Sequence, residues 1–322
     1  MLENSLDTNK VNQSKSDNDI KVEIIIPTLN EEGTIRELIQ SIHSQKIPVK
    51  ISTMVIDGGS TDKTVEICKK ENIRVIRQKG KGKGIAMRES VEYSDADIIV
   101  FIDGDGTYSI DDLEKLLEPL LTDKADMVVG SRILGKREKG SISTFNIIGN
   151  MLFNKTINFA MKSQVTDSLT GYRAIRRELF KDLILFSNSF EIEVEMTVEA
   201  LAKGYRVIEI PIKYGTRKGT PTKLNPVGDG IKIARTLIFI TMNVNPLKFF
   251  GLIALGFFII GLYPAIWVIH EKITTGDIIS MPSVVFSSLL FMTGTFALVV
   301  GLVSELVVRS RRRIEYLISK KL

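Results

Sequence analysis

The 322-residue chain carries 43 Lys and Arg against 38 Asp and Glu, a formal charge of +5, and its 44% hydrophobic content argues against a disordered or fibrous protein. A single cysteine, Cys68, excludes an internal disulfide framework and a cysteine-cluster zinc site and suggests a reducing compartment. The two histidines, His43 and His270, stand far apart and beside no Ser or Cys nucleophile motif, which weighs against zinc hydrolysis and acyl-transfer triads.

Residues 1–20, MLENSLDTNKVNQSKSDNDI, are polar, lack the apolar run of a signal peptide and read as a disordered cytoplasmic tail. From Lys21 short β-branched runs alternate with helix-like stretches: KVEIIIPT, ISTMVID, IRVIRQ, ADIIVFID and DMVVG. Several are continuously apolar, as strands buried on both faces are. The alternation predicts an α/β fold whose mostly parallel sheet is flanked by helices. Ligands of such sheets bind at the carboxyl ends of the strands. Those ends carry Asn30 and Glu31 after the first strand, Asp57 on the second, and Asp103 with Asp105 on the fourth. Two more strand-like stretches, GYRAI and RVIEIPIKYG, flank helical sequence between Arg176 and Lys203.

Residues 249–269 contain no charge, and a second uncharged stretch covers residues 281–304, the two joined by HEKITTGD. A helix of about 20 residues crosses a hydrocarbon core about 30 Å thick, so the pair reads as a transmembrane hairpin, with a buried helical core as the alternative. Lys232, Arg235 and Lys248 precede the first span, and Arg309, Arg311, Arg312 and Arg313 follow the second. The positive-inside rule then puts both ends, and the α/β domain, on the cytoplasmic side of the cell membrane. GDGIKIARTLIFITMNV, before the first span, suits either an interfacial helix or an ordinary amphipathic one. The predicted organisation is a tail at 1–20, a catalytic domain at 21–225, an interfacial segment at 226–245, the hairpin at 246–308 and a basic cytoplasmic tail at 309–322.

The sharpest chemical signal is Asp103-Gly104-Asp105. Two carboxylates one residue apart at a strand end can converge on a hard cation such as Mg2+ or Mn2+, although Asp and Gly also dominate turns for conformational reasons. Such a cation would neutralise charge on a departing nucleoside diphosphate. No GxxxxGK[ST] occurs, and no GxGxxG follows the first strand, which removes P-loop and nicotinamide readings. GKGKG at 80–84 can line a phosphate pocket or form a solvated loop.

Pro27-Thr28-Leu29-Asn30-Glu31, Asp57-Gly58-Gly59-Ser60-Thr61-Asp62, Asp103-Gly104-Asp105 and Gly130-Ser131-Arg132, in this order, resemble the family-2 inverting glycosyltransferases of GT-A fold. Within them the closer resemblance is to dolichyl- or polyprenyl-phosphate hexose synthases, over residues 21–225. The resemblance implies that Pro27, Asn30, Glu31 and Asp57 contact the nucleotide sugar, that Asp103 and Asp105 hold metal and diphosphate, and that Arg132 receives the lipid phosphate. It implies also that Arg217 and Lys223 close over the diphosphate, and that Asp167, in Asp167-Ser168-Leu169-Thr170-Gly171-Tyr172-Arg173, steers or deprotonates the acceptor. Thr107 stands where some synthases carry a longer third metal ligand. Asn146, Asn150 and Asn154 stand where some relatives carry a second arginine, in a helical stretch, STFNIIGNMLFNKTINFAMK, suited to lie against the membrane and guide a prenyl chain.

The expected activity is metal-dependent, inverting transfer of a hexose from a UDP- or GDP-sugar to dolichyl or polyprenyl phosphate. Expected partners are the donor, the lipid acceptor and membrane lipid, with no nucleic acid, since the basic residues cluster beside the spans. The alternatives are a family-2 transferase acting on a lipid-linked or surface saccharide, for which Asp167 must be a true base, and a catalytically silent nucleotide-sugar-binding scaffold.

Overall fold

The computed structural model describes residues 20–138, 140–141, 144–217, 242 and 245–319. In chain order the elements are β1 (Lys21–Thr28), α1 (Ile35–His43), β2 (Lys50–Asp57), α2 (Thr64–Lys70), β3 (Arg74–Arg77), α3 (Lys83–Glu92), β4 (Ile98–Phe101), α4 (Leu113–Leu121) and β5 (Met127–Ser131). They continue as α5 (Thr144–Met161), β6 (Arg173–Arg176), α6 (Arg177–Asp182), α7 (Ile192–Ala202), β7 (Val207–Pro211), α8 (Pro246–Thr275) and α9 (Met281–Ser319).

Seven strands form one sheet in the order β3-β2-β1-β4-β6-β5-β7. All neighbours pair in parallel except β6, which runs antiparallel to both β4 and β5. The mostly parallel sheet matches the expectation; the reversed β6 is an addition to it. Successive strand residues face opposite layers, and both layers are covered. Ile24 and Ile26 pack with α1 and α4 on one side, whereas Ile25, Ile99 and Phe101 pack with α3, α6 and α7 on the other. The helices advertise the arrangement: α1 buries Ile35, Leu38, Ile39 and Ile42, and α4 repeats that spacing with Leu113, Leu116, Leu117 and Leu120. From β1 the chain builds outward to β2 and β3, and β4 then joins the opposite edge of β1, so the sheet has its switch point at the carboxyl ends of β1 and β4.

The chain divides into two compact units. The first holds residues 1–151 and 165–224, the second residues 152–164 and 225–322, so α5 contributes to both. Phe153, Asn154 and Ile157 of α5 are buried, as is Asn150, while Met151, Leu152 and Phe159 are exposed.

In the second unit α8 and α9 are long and apolar enough to cross a membrane, and only 17% of the most apolar window of each is buried. A core helix of a soluble protein would be mostly covered, so the exposure favours membrane anchoring. The two helices meet through glycine notches: a side chain at Gly294 would strike Phe258, and one at Gly301 would strike Phe250. Ser287 Oγ donates to the Gly261 carbonyl at 3.0 Å. Gly276, in the left-handed region at φ 81°, ends α8, and Glu271 accepts the Ser280 amide at 2.9 Å and the Ile279 amide at 3.2 Å, satisfying donors ahead of α9. Arg309, Arg311 and Arg313 lie on the continuing helix α9. Of the segment at 226–245 only Met242 and Asn245 are among the described residues.

Candidate active site

The loops after β1 and β2 are knitted together at the carboxyl edge of the sheet. Pro27 and Thr28 close β1 in register with Ile56 and Asp57. Asn30 adopts φ 57°, which Asn tolerates better than most residues, and its Oδ1 accepts the Thr61 amide at 2.8 Å. The Glu31 amide donates to Thr64 Oγ1 at 2.9 Å. Asp57 is 4% exposed, with Oδ2 accepting the Gly59 amide at 3.0 Å and Oδ1 the Ser60 amide at 3.1 Å. Its first task is therefore to shape the Asp-Gly-Gly-Ser turn, in which Gly59 takes φ 93°.

Asp103 and Asp105 follow β4, and each has one oxygen already engaged. Asp103 Oδ1 is gripped by the Lys83 ammonium, which also meets Glu193 Oε1. Asp105 Oδ1 accepts the Thr107 amide at 3.1 Å and its hydroxyl at 2.7 Å. Thr107, 3% exposed, thus spends its hydroxyl on Asp105. Burial alone would depress the Lys83 ammonium, but the Asp103 and Glu193 carboxylates more than offset it and hold the charge. Gly171 closes this corner, since a Cβ there would lie 2.6 Å from Asp103 Oδ2 and 2.7 Å from Lys83 Nζ. Opposite, Arg217 Nη2 donates to Glu31 Oε1 at 2.8 Å, and its Nε stands 3.6 Å from Asp105 Oδ2. Burial pushes the Glu31 carboxyl up despite that arginine.

Among the described residues no group of three or more His, Cys, Asp or Glu could hold a metal ion alone. The donor set nevertheless fits a hard divalent cation: two carboxylates, each with its Oδ1 taken by a fixed neighbour and its Oδ2 outside that bonding, suit an ion completed by phosphate oxygens and water.

A second cluster surrounds Arg132. Its Nε and Nη2 donate to Asp167 Oδ2 and Oδ1 at 2.7 and 2.8 Å, and its own amide adds a bond to Oδ2 at 3.0 Å. Asn150 Nδ2 donates to Asp167 Oδ1 at 2.9 Å. Asp167 has no exposed surface; burial favours its protonation, but Arg132 and Asn150 outweigh this and hold the carboxyl below the usual range. The Arg132 guanidinium lies 5.3 Å from the centroid of the Tyr214 ring. Tyr214 pairs with Tyr108 in an isolated β-bridge and stacks edge-on with it at 5.1 Å, and the next amide, Gly215, donates to the Thr107 carbonyl at 2.8 Å, joining the Arg132 cluster to the turn after β4.

Behind the clusters stand two supports. Glu209 of β7 accepts the Thr166 amide at 2.8 Å and the Asp167 amide at 2.8 Å. Arg173, wholly buried, donates to the carbonyls of Thr170 at 2.6 Å, Ser168 at 3.3 Å and Glu193 at 2.7 Å. Backbone carbonyls thus receive a guanidinium where a carboxylate would be the usual partner.

The structure therefore brings Glu31, Asp103, Asp105 and Arg217 into one group, and Arg132 and Asp167 into another linked to it. Asn30 and Asp57 shape the adjoining loops. Lys223 and the side chain of Asn146 lie outside the described residues, and Asn154 is a buried residue of α5. The GKGKG turn fits either a phosphate pocket or a solvated loop by sequence; in the structure the Lys83 side chain, 9% exposed, sits between Asp103 and Glu193. Glu193, Tyr214 and the anchoring role of Arg173 were not foreseen. Glu193 had a signal: Glu191, Glu193 and Glu195 recur every second residue, and a helix turns such a set through more than one face. Glu193 and Glu195 are indeed buried in α7.

Residues 23–184 match the family model described as Glycosyl transferase family 2. The chain is similar to Glycosyltransferase AglJ of Haloferax volcanii, with 36% identity over 85% of this chain and 91% of the relative. It is similar also to the Dolichyl-phosphate hexose transferase of the same organism, with 33% identity over 68% of this chain and 93% of the relative. Among solved structures, glucosyl-3-phosphoglycerate synthase from Mycobacterium tuberculosis, in complex with Mn2+, uridine diphosphate and phosphoglyceric acid, superposes with a TM-score of 0.55 at 23% identity, covering 69% of this chain and 78% of that one. That likeness establishes a common fold.

Proposed function

The chain belongs to glycosyl transferase family 2 and is a glycosyltransferase of GT-A fold, and from that premise we propose that it moves a hexose from a nucleotide sugar to a dolichyl or polyprenyl phosphate with inversion. The observation that carries the reading is the oriented guanidinium of Arg132. Asp167 fixes its Nε and Nη2, Nη1 takes no part in that pairing, and Tyr214 lies between the guanidinium and Tyr108 of the turn that follows the paired carboxylates. A planar fork held in this way suits an incoming phosphate. The dolichyl-phosphate relative supports the same acceptor.

In this reading Pro27, Asn30, Glu31 and Asp57 border the nucleoside, and Asp103 and Asp105 hold the diphosphate together with Mg2+ or Mn2+. A divalent cation bound there would supply positive charge to the departing diphosphate. Arg217 and Lys223 add to that charge from the chain after β7. Arg132 holds the acceptor so that a phosphate oxygen attacks the anomeric carbon opposite the leaving group. The new carbon–oxygen bond forms as the old one breaks, and its electron pair departs with the nucleoside diphosphate. Proximity and fixed charge supply most of the acceleration. The phosphate is anionic at neutral pH and needs no base, and Asp167, with both oxygens engaged, serves as a positioning residue for Arg132. A saccharide hydroxyl acceptor would need a free base, which this aspartate does not offer.

The helices α8 and α9 tether the enzyme to a membrane, and the basic residues flanking them favour a cytoplasmic catalytic domain in a multi-pass protein. The deciding experiment incubates the purified protein in detergent with a panel of nucleotide sugars, polyprenyl phosphate and Mn2+, then weighs the lipid product. A lipid heavier by one hexosyl unit supports the reading. Labelled sugar recovered only in free hexose or in a saccharide acceptor would overturn it.

A further inference from the structure

Between α6 and α7 the chain presents two phenylalanines to solvent, Phe186 at 66% and Phe190 at 65% exposure. The segment that carries them is firmly held. Glu195 accepts the amides of Phe186 at 3.0 Å and Ser187 at 2.8 Å, Arg88 donates to Asn188 Oδ1 at 2.7 Å and to the Ser187 carbonyl, and the Gly84 amide donates to the Asn188 carbonyl at 3.0 Å. Only glycines permit this approach: a Cβ at Gly82 would lie 2.2 Å from the Asn188 oxygen, and one at Gly84 would lie 2.3 Å from the Ser187 oxygen. The segment is thus docked on the GKGKG turn, and Phe190 is presented just ahead of α7.

The two rings have different surroundings. The Phe190 centroid lies 5.6 Å from Lys83 Nζ, the ammonium that grips Asp103. No described contact ties the Phe186 ring to the site. A rigid aromatic face left in water gives up burial that it could gain on a ligand, and none of the hydrogen bonds that hold the segment involves the ring. What must lie beside Asp103 in the proposed reaction is the donor's diphosphate, with the sugar attached to its far phosphate. A pyranose carries its hydroxyls around the rim and presents C–H groups on its faces, so it needs one apolar wall and a polar surround. Phe190 offers the wall; Lys83 and Glu193 lie beside it.

We propose that Phe190 forms the stacking wall of the hexose subsite, so that it reads the sugar of the donor and not its nucleotide. This rests on the reading of the donor as a nucleotide hexose. The test titrates the full-length protein in detergent, with Mn2+, against UDP and UDP-glucose and against GDP and GDP-mannose, using wild type, Phe190→Ala, Phe190→Leu, Phe190→Tyr and Phe186→Ala. For the sugar that binds wild type, Phe190→Ala should weaken the nucleotide sugar about tenfold while the matching nucleoside diphosphate binds as before. Phe190→Tyr should keep the affinity, Phe190→Leu should lose most of it for want of a flat face, and Phe186→Ala should match wild type. Equal loss of nucleotide and nucleotide sugar, or full affinity for the nucleotide sugar in Phe190→Ala or in Phe190→Leu, would overturn the assignment. Wild-type protein that binds no nucleotide sugar and transfers none would instead remove the parent reading, and this inference with it.

Discussion

Arg132 and Arg217 both rest on carboxylates in the candidate site, and they do so in opposite ways. Arg132 meets Asp167 through two side-chain nitrogens at 2.7 and 2.8 Å, and the aspartate has no exposed surface. Arg217 touches Glu31 once at 2.8 Å, stands 3.6 Å from Asp105, and keeps 30% of its side chain exposed. The first contact is shaped before any ligand arrives. The second is one that a charged ligand can replace at small cost. In the proposed reaction the acceptor end is accordingly preorganised, while the donor end would hold its acidic groups in provisional balance until a phosphate and cation arrive.

The largest effect is expected at the provisional end. Asp105→Ala should lower transfer by roughly 10²–10³-fold or more, because in the proposed reaction this carboxylate holds the cation that would balance the departing diphosphate. The fold should survive, since Asp105 lies past the end of β4; calorimetric titration of donor with and without Mn2+ and a circular dichroism melt check both halves. Donor binding that still depends on the metal in this variant would remove Asp105 from the site.

At the fixed end, Asp167→Ala leaves a guanidinium that is 13% exposed without its carboxylate, and should cost about 3–5 kcal/mol of stability in denaturant unfolding. A loss below about 1 kcal/mol would mean that Arg132 finds another partner, and the contrast with Arg217 would collapse. Arg132→Ala should weaken acceptor kcat/KM by about 1.5–3 kcal/mol and leave the donor KM near its wild-type value. An equal effect on both substrates would place this arginine between them. Arg217→Ala belongs at the other extreme: a stability change of about 0–1 kcal/mol, as for exposed pairs, with weaker binding confined to the donor.

The smallest expected effect is one of pH. The folded-state pKa of Asp167 lies below its unfolded value, so its contribution is fully present above the ordinary carboxylate pKa, about 4, and is lost as pH falls through the folded value. Melting temperature followed from pH 7 downward should fall more steeply on the acid side in wild type than in Asp167→Asn, which cannot titrate there. Parallel curves would show that the pair does not drive the acid limb.

The strands and the location of the site were legible because buried parallel strands write continuous apolar runs and end on their polar residues. Asp103 and Asp105 could be placed by local sequence alone. Lys83 could not, because its second carboxylate partner, Glu193, is 110 residues away and only the folded sheet brings them together. Whether Asp167 deprotonates or positions was equally hidden: it depends on Asn150 and Arg132, 17 and 35 residues distant, whose bonds consume its oxygens. The reversed β6 escaped for a different reason. A four-residue strand between two neighbours carries no mark of its direction in its own sequence.

The tight corner between α8 and α9 has a mechanical consequence. With Glu271 bonded to the amides of Ile279 and Ser280, with Gly294 against the Phe258 ring and Gly301 against the Phe250 Cβ, sliding one helix past the other would break the corner or part these close contacts. If the pair spans a bilayer as proposed, it should meet hydrophobic mismatch by tilting as one wedge and not by adjusting the two lengths separately.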